Sequence, residues 1–330
     1  MIRFGVIGAG RIGKVHAATI AANPKAKLAY VADAFRASAE TLAAQTGAEV
    51  ADAEDVVRSP NVDAILIATP TPSHADLIEA AARAGKAILC EKPVSLSVER
   101  INSCLEVVEK NRSTLMIAFN RRFDPNFASL EARLRRGDVG AIEIVTITSR
   151  DPAPPPADYV KSSGGLFRDM MIHDFDMARF LMGEEFVVVN ALGASLVDQA
   201  IGAAGDVDTA AVQMQTASGR IAVITNSRRA TYGYDQRIEV HGAFGMLAAK
   251  NIAATSVEFS NANGVSGDPV QHFFLERYAQ AYANEIDAFI DAIDTGTRSL
   301  RPGGYDGLQA QKLAEAATVS WQTGKPVTVG

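Results

Sequence analysis

Four residues have types and settings that suit chemistry: Lys92, Asp169, His173 and Asp176. The last three lie in GGLFRDMMIHDFDMARFLMG, residues 164–183, a stretch otherwise dominated by Met, Ile, Phe and Leu. Charged groups in so apolar a segment are costly unless they are paired or put to use. Read as one helix, the stretch places Asp169, His173 and Asp176 at i, i+4 and i+7, on a single face. Met171, Phe175, Ala178 and Met182 then form a separate apolar face. An imidazole can act as a base near neutral pH, and a carboxylate one turn earlier can orient it and stabilise the imidazolium. Asp176 is placed to accept hydrogen bonds from substrate hydroxyls, whereas Asp174 reads as a solvated residue with no role. Two other readings of the His–Asp pair stand beside this one: a core histidine satisfied by Asp169, or two zinc ligands at i, i+4 spacing. No third His or Cys is clustered nearby and a lysine ammonium would oppose a cation, so no metal is expected.

Lys92 belongs to LCEKPVSLS, where Glu91-Lys92-Pro93 closes an apolar strand. An ammonium there can hydrogen-bond an alcohol oxygen and stabilise the alkoxide that develops as hydride leaves. Alone, the tripeptide would read as an exposed turn. Its context is GVIGAGRIGKVHAA, which carries G-x-G-x-x-G as Gly8, Gly10 and Gly13 between a strand and a helix. Gly8 permits the tight turn, Gly10 lets the backbone approach a pyrophosphate, and Gly13 allows close helix–strand packing. Arg11 and Ile12, inside the motif, join the expected cofactor contacts. Asp33 lies about 20 residues beyond the motif, where an acid meets the adenosine ribose and repels a 2′-phosphate. NAD is therefore expected; Arg36, close by, can pair with a 2′-phosphate and leaves NADP use open. ATPTPSHADL adds Thr69, Pro70 and His74 on the ligand side of the sheet, with a helix cap at or near Ser73. Glu91 and Lys92 complete the expected cofactor set.

The elements that must position these groups fall into two sets. Up to residue 119, strands at 2–7, 27–32, 64–68, 87–90 and 115–119 alternate with helices at 12–22, 34–45, 73–84 and 98–110. Uniformly apolar strands such as AILIA imply burial on both faces, hence a doubly wound parallel sheet. The Rossmann domain is expected over 1–119. An α+β domain with a large open-faced, mostly antiparallel sheet is expected over 120–330. Its elements are a helix at 125–136, a strand at 142–149, the proline-bearing loop RDPAPPP, the helix opened above and successive strands over 186–259. Helices at 277–295 and 305–323 close the chain, and the crevice between the domains is the natural place for a ligand.

The 330 residues are 48% hydrophobic and 21% charged, with net charge −6 and mean hydropathy near zero. An acidic balance gives no support to a nucleic-acid or membrane partner, and no apolar run is long enough to span a bilayer. The first ten residues read as a strand rather than a signal peptide. The two cysteines, Cys90 and Cys104, imply no disulfide framework. All of this suits a cytoplasmic protein.

The glycine motif, the EKP and the G-G-x-x-x-D-x-x-x-H-D-x-D segment together resemble the glucose–fructose oxidoreductase and inositol dehydrogenase family, across essentially the whole chain. FNRRFDPNF, SRDPAPPPADY, SGGLFRDMMIHDFDMARFLMGEE and YGYDQRIEVHG resemble its bacterial inositol-oxidising branch. The resemblance implies a catalytic triad of Lys92, Asp169 and His173, with His173 as proton acceptor and Lys92 on the reacting oxygen. It implies substrate contacts from Asp176, Arg122, Asp151, Tyr232 and Tyr234. It further implies a cis Lys92–Pro93 bond, a final helix that returns to the Rossmann domain, and a homotetramer formed through the open sheet. The implied reaction is NAD-dependent oxidation of myo-inositol at C2 to 2-keto-myo-inositol, in inositol breakdown. The rivals are the same chemistry on scyllo-inositol, another cyclitol or an aldose such as glucose, and a non-catalytic sensor of NAD and sugar.

Overall fold

The structure is a computed structural model that describes the backbone of residues 1–330 and every side chain except those of residues 157, 158 and 161. The chain divides into two compact units, Met1–Phe123 with Ala281–Gln311, and Asp124–Gln280 with Lys312–Gly330.

The first unit is built on six strands: β1 (Ile2–Ile7), β2 (Ala26–Ala32), β3 (Glu49–Val50), β4 (Ala64–Ile67), β5 (Ala87–Cys90) and β6 (Leu115–Ile117). All pair in parallel, in the order β3-β2-β1-β4-β5-β6, so the expected doubly wound sheet is present. Every residue of β4 is buried, as an AILI run covered on both faces requires. The connecting helices are α1 (Arg11–Ala22), α2 (Arg36–Thr46), α3 (Ala53–Arg58), α4 (His74–Arg83) and α5 (Val98–Lys110). Ile286, Phe289 and Ile290, from a helix late in the chain, join Phe4, Val6, Leu66 and Leu89 in one core cluster. Their i, i+3, i+4 spacing makes the stripe that packs there.

The second unit contains α6 (Pro125–Arg135), β7 (Ile142–Arg150), α7 (Ala157–Ser163), α8 (Leu166–Asp169), α9 (Ile172–Met182), β8 (Phe186–Ala194), α10 (Gln199–Ala203), β9 (Thr209–Thr216), β10 (Ile221–Ser227), β11 (Asp235–Gly242) and β12 (Gly245–Ala249). A hairpin of β13 (Glu258–Asn261) and β14 (Gly264–Gly267) and the short helix α11 (Phe274–Arg277) follow. The closing elements are α12 (Ala279–Thr295), α13 (Gly304–Thr323) and β15 (Val327–Thr328). The large sheet runs β12-β11-β7-β10-β9-β8-β15 and is antiparallel except where β10 lies parallel to β7. Buried Val145, Ile147, Val212 and Ile224 alternate with the more exposed Ile144, Gln213 and Ile221, so one face is covered and the other is open.

One expected helix is broken. Residues 164–183 form α8 and α9, with Met170 and Met171 between them. The carbonyl of Leu166 accepts from both Met170 N (3.1 Å) and Met171 N (2.9 Å), a widened turn that inserts a residue into the helical count. Gly165, at φ +84°, opens α8 where an added Cβ would lie 2.6 Å from Asp206 Oδ1. The i, i+4, i+7 face assumed for an unbroken helix therefore does not carry across residues 170–171.

Candidate active site

The nucleotide cradle lies wholly in the first unit. Gly8 adopts φ +110°, and a Cβ there would meet Ala68 O at 2.4 Å. A Cβ on Gly13 would fall 1.9 Å from Gly8 O, so only hydrogen fits between turn and helix. At Gly10 an added Cβ would meet nothing within 4 Å, which leaves open space over the turn. Gly10 is also the N-cap of α1 and brings no side chain to cap it, so the helix N-terminus faces the turn without a capping group of its own, as an anion site requires. Asp33 Oδ2 accepts from Ala9 N (2.7 Å) and Oδ1 from Phe35 N (2.8 Å), fixing the acid at the end of β2 beside the glycine turn. These features fit a dinucleotide. Arg36 is exposed and its Nε bonds Glu40 at 3.0 Å, one helical turn on.

The neighbouring loops are tied by backbone bonds. His74 is buried, with Nδ1 2.8 Å from Pro93 O and Nε2 2.7 Å from Thr69 O. It links the loop after β4 to the loop that carries Lys92, so its ring positions the backbone there. The Ser73 side chain makes no cap bond; its hydroxyl instead reaches Thr69 Oγ1 at 2.7 Å. Pro70 is exposed and Lys92 half-buried, and the Lys92–Pro93 bond is cis. Glu91 Oε1 lies 2.8 Å from Nε2 of the fully buried His16. Arg122 is buried, and its Nη2 donates to Asp306 Oδ1 at 2.8 Å. Burial pushes the Cys90 thiol well up and that of Cys104 to about 12, so neither is a ready thiolate.

In the second unit the α8–α9 segment holds the candidate catalytic residues Asp169 and His173. Asp169 ends α8, with its Oδ1 accepting from Tyr159 Oη at 3.0 Å and its Oδ2 from Arg228 Nη2 at 3.4 Å. His173 lies in the first turn of α9, its amide bonded to Met170 O at 3.4 Å. Asp176 is buried, with Arg179 Nη1 at 3.9 Å. The reading of Asp174 as solvated is overturned. It is fully buried, accepting from Ser149 Oγ (2.5 Å) and Asn226 Nδ2 (2.8 Å), and so anchors α9 to β7 and β10. The inserted residue changes which side chains face the sheet, which is why a regular helical wheel misplaced it.

Asp151 lies just past β7, its Oδ2 3.9 Å from Arg228 Nη1. Tyr234 is buried edge-on against Tyr278. Tyr232 is half-exposed; its hydroxyl donates to Asp235 Oδ2 (2.5 Å) and accepts from Arg150 Nη1 (2.8 Å). Sequence reasoning missed Arg228, Tyr159 and Asp206, which gather around Asp169 from the end of β10, from α7 and from the loop before β9. None belongs to a spacing pattern, although RDPAPPPADY, with Tyr159 at its end, was singled out as a string. Burial pushes the Asp206 carboxyl above its ordinary range; the amides of Val207 and Leu166 and the Arg228 charge only partly oppose this. Among the described residues, no group of three or more His, Cys, Asp or Glu is arranged to hold a metal ion, and no helix is long and apolar enough to cross a membrane.

The sequence matches the oxidoreductase family with an NAD-binding Rossmann fold over residues 2–119 and the GFO/IDH/MocA C-terminal domain over residues 127–248. It is 55% identical over 319 residues to an inositol 2-dehydrogenase of Rhizobium meliloti, covering 97% of this chain and 96% of that one. The crystal structure of a myo-inositol dehydrogenase from Corynebacterium glutamicum superposes with a TM-score of 0.96 at 44% identity, over 100% of this chain and 99% of that one. A scyllo-inositol dehydrogenase from Lactobacillus casei, with NAD(H) and scyllo-inositol bound, superposes at 0.93 with 32% identity, over 100% and 99%. With both domain matches in chain order and this likeness along its length, the chain belongs to the GFO/IDH/MocA family of NAD-binding oxidoreductases.

Proposed function

We propose that the protein is an NAD-dependent inositol 2-dehydrogenase that oxidises the C2 hydroxyl of myo-inositol to 2-keto-myo-inositol. One observation carries the reading. A glycine cradle with open space at Gly10 occurs, together with Lys92, Asp169 and His173, in a chain 55% identical along 97% of its length to an inositol 2-dehydrogenase. Bound NAD supplies the nicotinamide that accepts the hydride. His173 takes the hydroxyl proton, and Asp169 orients the imidazole and stabilises its charged form. Lys92 donates to the reacting oxygen and stabilises the negative charge that develops there. Asp176, Asp151, Arg122, Tyr232 and Tyr234 are assigned to the pocket that reads the other hydroxyls. Arg122 is held for this by Asp306.

Asp33 is assigned to the adenosine ribose, with Gly8, Gly10, Gly13, Arg11 and Ile12 at the pyrophosphate. NAD is favoured over NADP because Asp33 would repel a 2′-phosphate and Arg36 is drawn to Glu40. The open sheet face supports a homotetramer: it bears Leu192 at 67% exposure and Ile144 and Ile221 at 38% each. A concavity of about 600 Å³ on this face is lined by Leu192, Thr209, Thr225 and Arg229, among others. A cytosolic location is consistent with two buried free thiols. The deciding experiment is reduction of NAD by purified protein with myo-inositol, scyllo-inositol, chiro-inositol or glucose. Turnover best on myo-inositol supports the assignment. Preference for another polyol moves the substrate, and cofactor binding without turnover replaces the enzyme by a sensor.

A further inference from the structure

Arg228 follows β10 directly and is only 2% exposed. Its amide donates to Asp208 O at 2.8 Å, which fixes where the side chain begins. From there the guanidinium spans two carboxylates: Nη2 lies 3.4 Å from Asp169 Oδ2, and Nη1 lies 3.9 Å from Asp151 Oδ2. Among the described residues, the buried Nε has no hydrogen-bond partner. A buried guanidinium is a poor device for stability alone, so its value lies in what its two ends hold. Among the described side chains, Arg228 meets Asp169 on α8 and Asp151 after β7, Tyr159 on α7 reaches Asp169, and Asp206 before β9 feels the charges of both Arg228 and Asp169; His173 follows four residues after Asp169, on α9. Arg228 is the cation placed among these carboxylates.

Two donors meet Asp169 on different oxygens, Tyr159 Oη on Oδ1 and Arg228 Nη2 on Oδ2. This fixes the carboxylate plane at the point where the helix widens and the backbone alone would leave it less constrained. We propose that Arg228 is a positioning residue for the oxidation, holding Asp169 ionised and oriented toward His173 and tying Asp151 to the same charge. The inference rests on the roles assigned above to Asp169 and His173.

The sign of the effect follows from electrostatics. Removing a cation makes every neighbouring group bind its proton more tightly. His173 must be neutral to accept the hydroxyl proton, so without Arg228 the base is lost to protonation at a higher pH. The test is the pH dependence of kcat/KM for myo-inositol with NAD, in the wild type, Arg228→Lys, Arg228→Met and Asp169→Asn. Arg228→Lys should keep the position of the acid limb. Arg228→Met should lower the rate and move that limb upward by about one pH unit. A merely structural role would scale the profile without moving it. Asp151→Asn removes a negative charge from the other end of Arg228 and should move the limb to lower pH, which provides a reading if Arg228→Met does not fold. An acid limb unmoved in Arg228→Met, or in Asp151→Asn where that variant stands in, with Asp169→Asn crippled, overturns this inference alone. Wild-type turnover in Asp169→Asn overturns the underlying roles, and the inference with them.

Discussion

His173 and Lys92 are assigned to the two ends of one O–H bond, and substitution separates their proposed contributions from folding. His173→Ala and Lys92→Ala should each lower kcat by roughly 10²–10⁴-fold, with little change in melting temperature. Near-wild-type kcat in either variant would remove that residue from the mechanism. Asp33→Ala should weaken NAD binding and narrow the preference for NAD over NADP, read from kcat/KM with each cofactor. At this scale the sequence was most legible where spacing is local. Gly8, Gly10 and Gly13 sit in one turn and Lys92 sits in a tripeptide at a strand end, whereas the four-residue step from Asp169 to His173 crosses the widened turn. Arg228 and Tyr159 were invisible because they reach Asp169 across 59 and 10 residues of chain, with no pattern marking the approach. Arg122 was singled out as a substrate contact, but its buried partner Asp306, 184 residues away, was not.

Among the elements, the widened turn between α8 and α9 is where sequence and structure part. The apolar face of Met171, Phe175, Ala178 and Met182 is buried as read. The polar residues redistribute, and Asp174 becomes the anchor to Ser149 and Asn226. Asp174→Ala would take from Asn226 Nδ2 its buried acceptor and leave Ser149 Oγ to Gln236 Oε1 at 3.1 Å, at about 1–3 kcal/mol for the unsatisfied group. A clear fall in melting temperature is expected, and an unchanged one would mean that the anchor carries little. The parallel strands were legible because burial on both faces leaves uniform apolar runs, whereas β3, α3 and α7 are too short to show a period. The parallel pairing of β10 with β7 was not legible, since strand order is absent from a local pattern.

Helix α12 carries a further consequence. Burial pushes the Glu285 carboxyl well above its ordinary range, and the nearby Glu91 acts in the same direction. The folded state therefore keeps a proton that the unfolded chain releases above about pH 4.3. Stability contributed by this group is full below that pH and is lost as pH rises toward the folded value. Glu285→Gln removes the dependence, so its melting temperature relative to wild type should improve as pH rises above about 5. A constant offset over that range would show that Glu285 is not held protonated.

For the whole molecule, the division into two units with separate chemistry sets the remaining expectations. The cradle of the first unit is assigned the cofactor, and the α8–α9 edge of the second is assigned the proton. The open sheet face of the second unit is assigned to contact between copies. Leu192→Asp paired with Ile221→Asp should lower the solution mass toward that of a single chain by light scattering, whereas an unchanged tetramer would place the interface elsewhere. The most direct measurement of the central claim is the absorbance of reduced nicotinamide when purified protein meets NAD and myo-inositol, with NADP, scyllo-inositol, chiro-inositol and glucose alongside. Efficient turnover of myo-inositol with NAD, abolished in His173→Ala, is the predicted result. Tight NAD binding with no reduction on any of these polyols would contradict it.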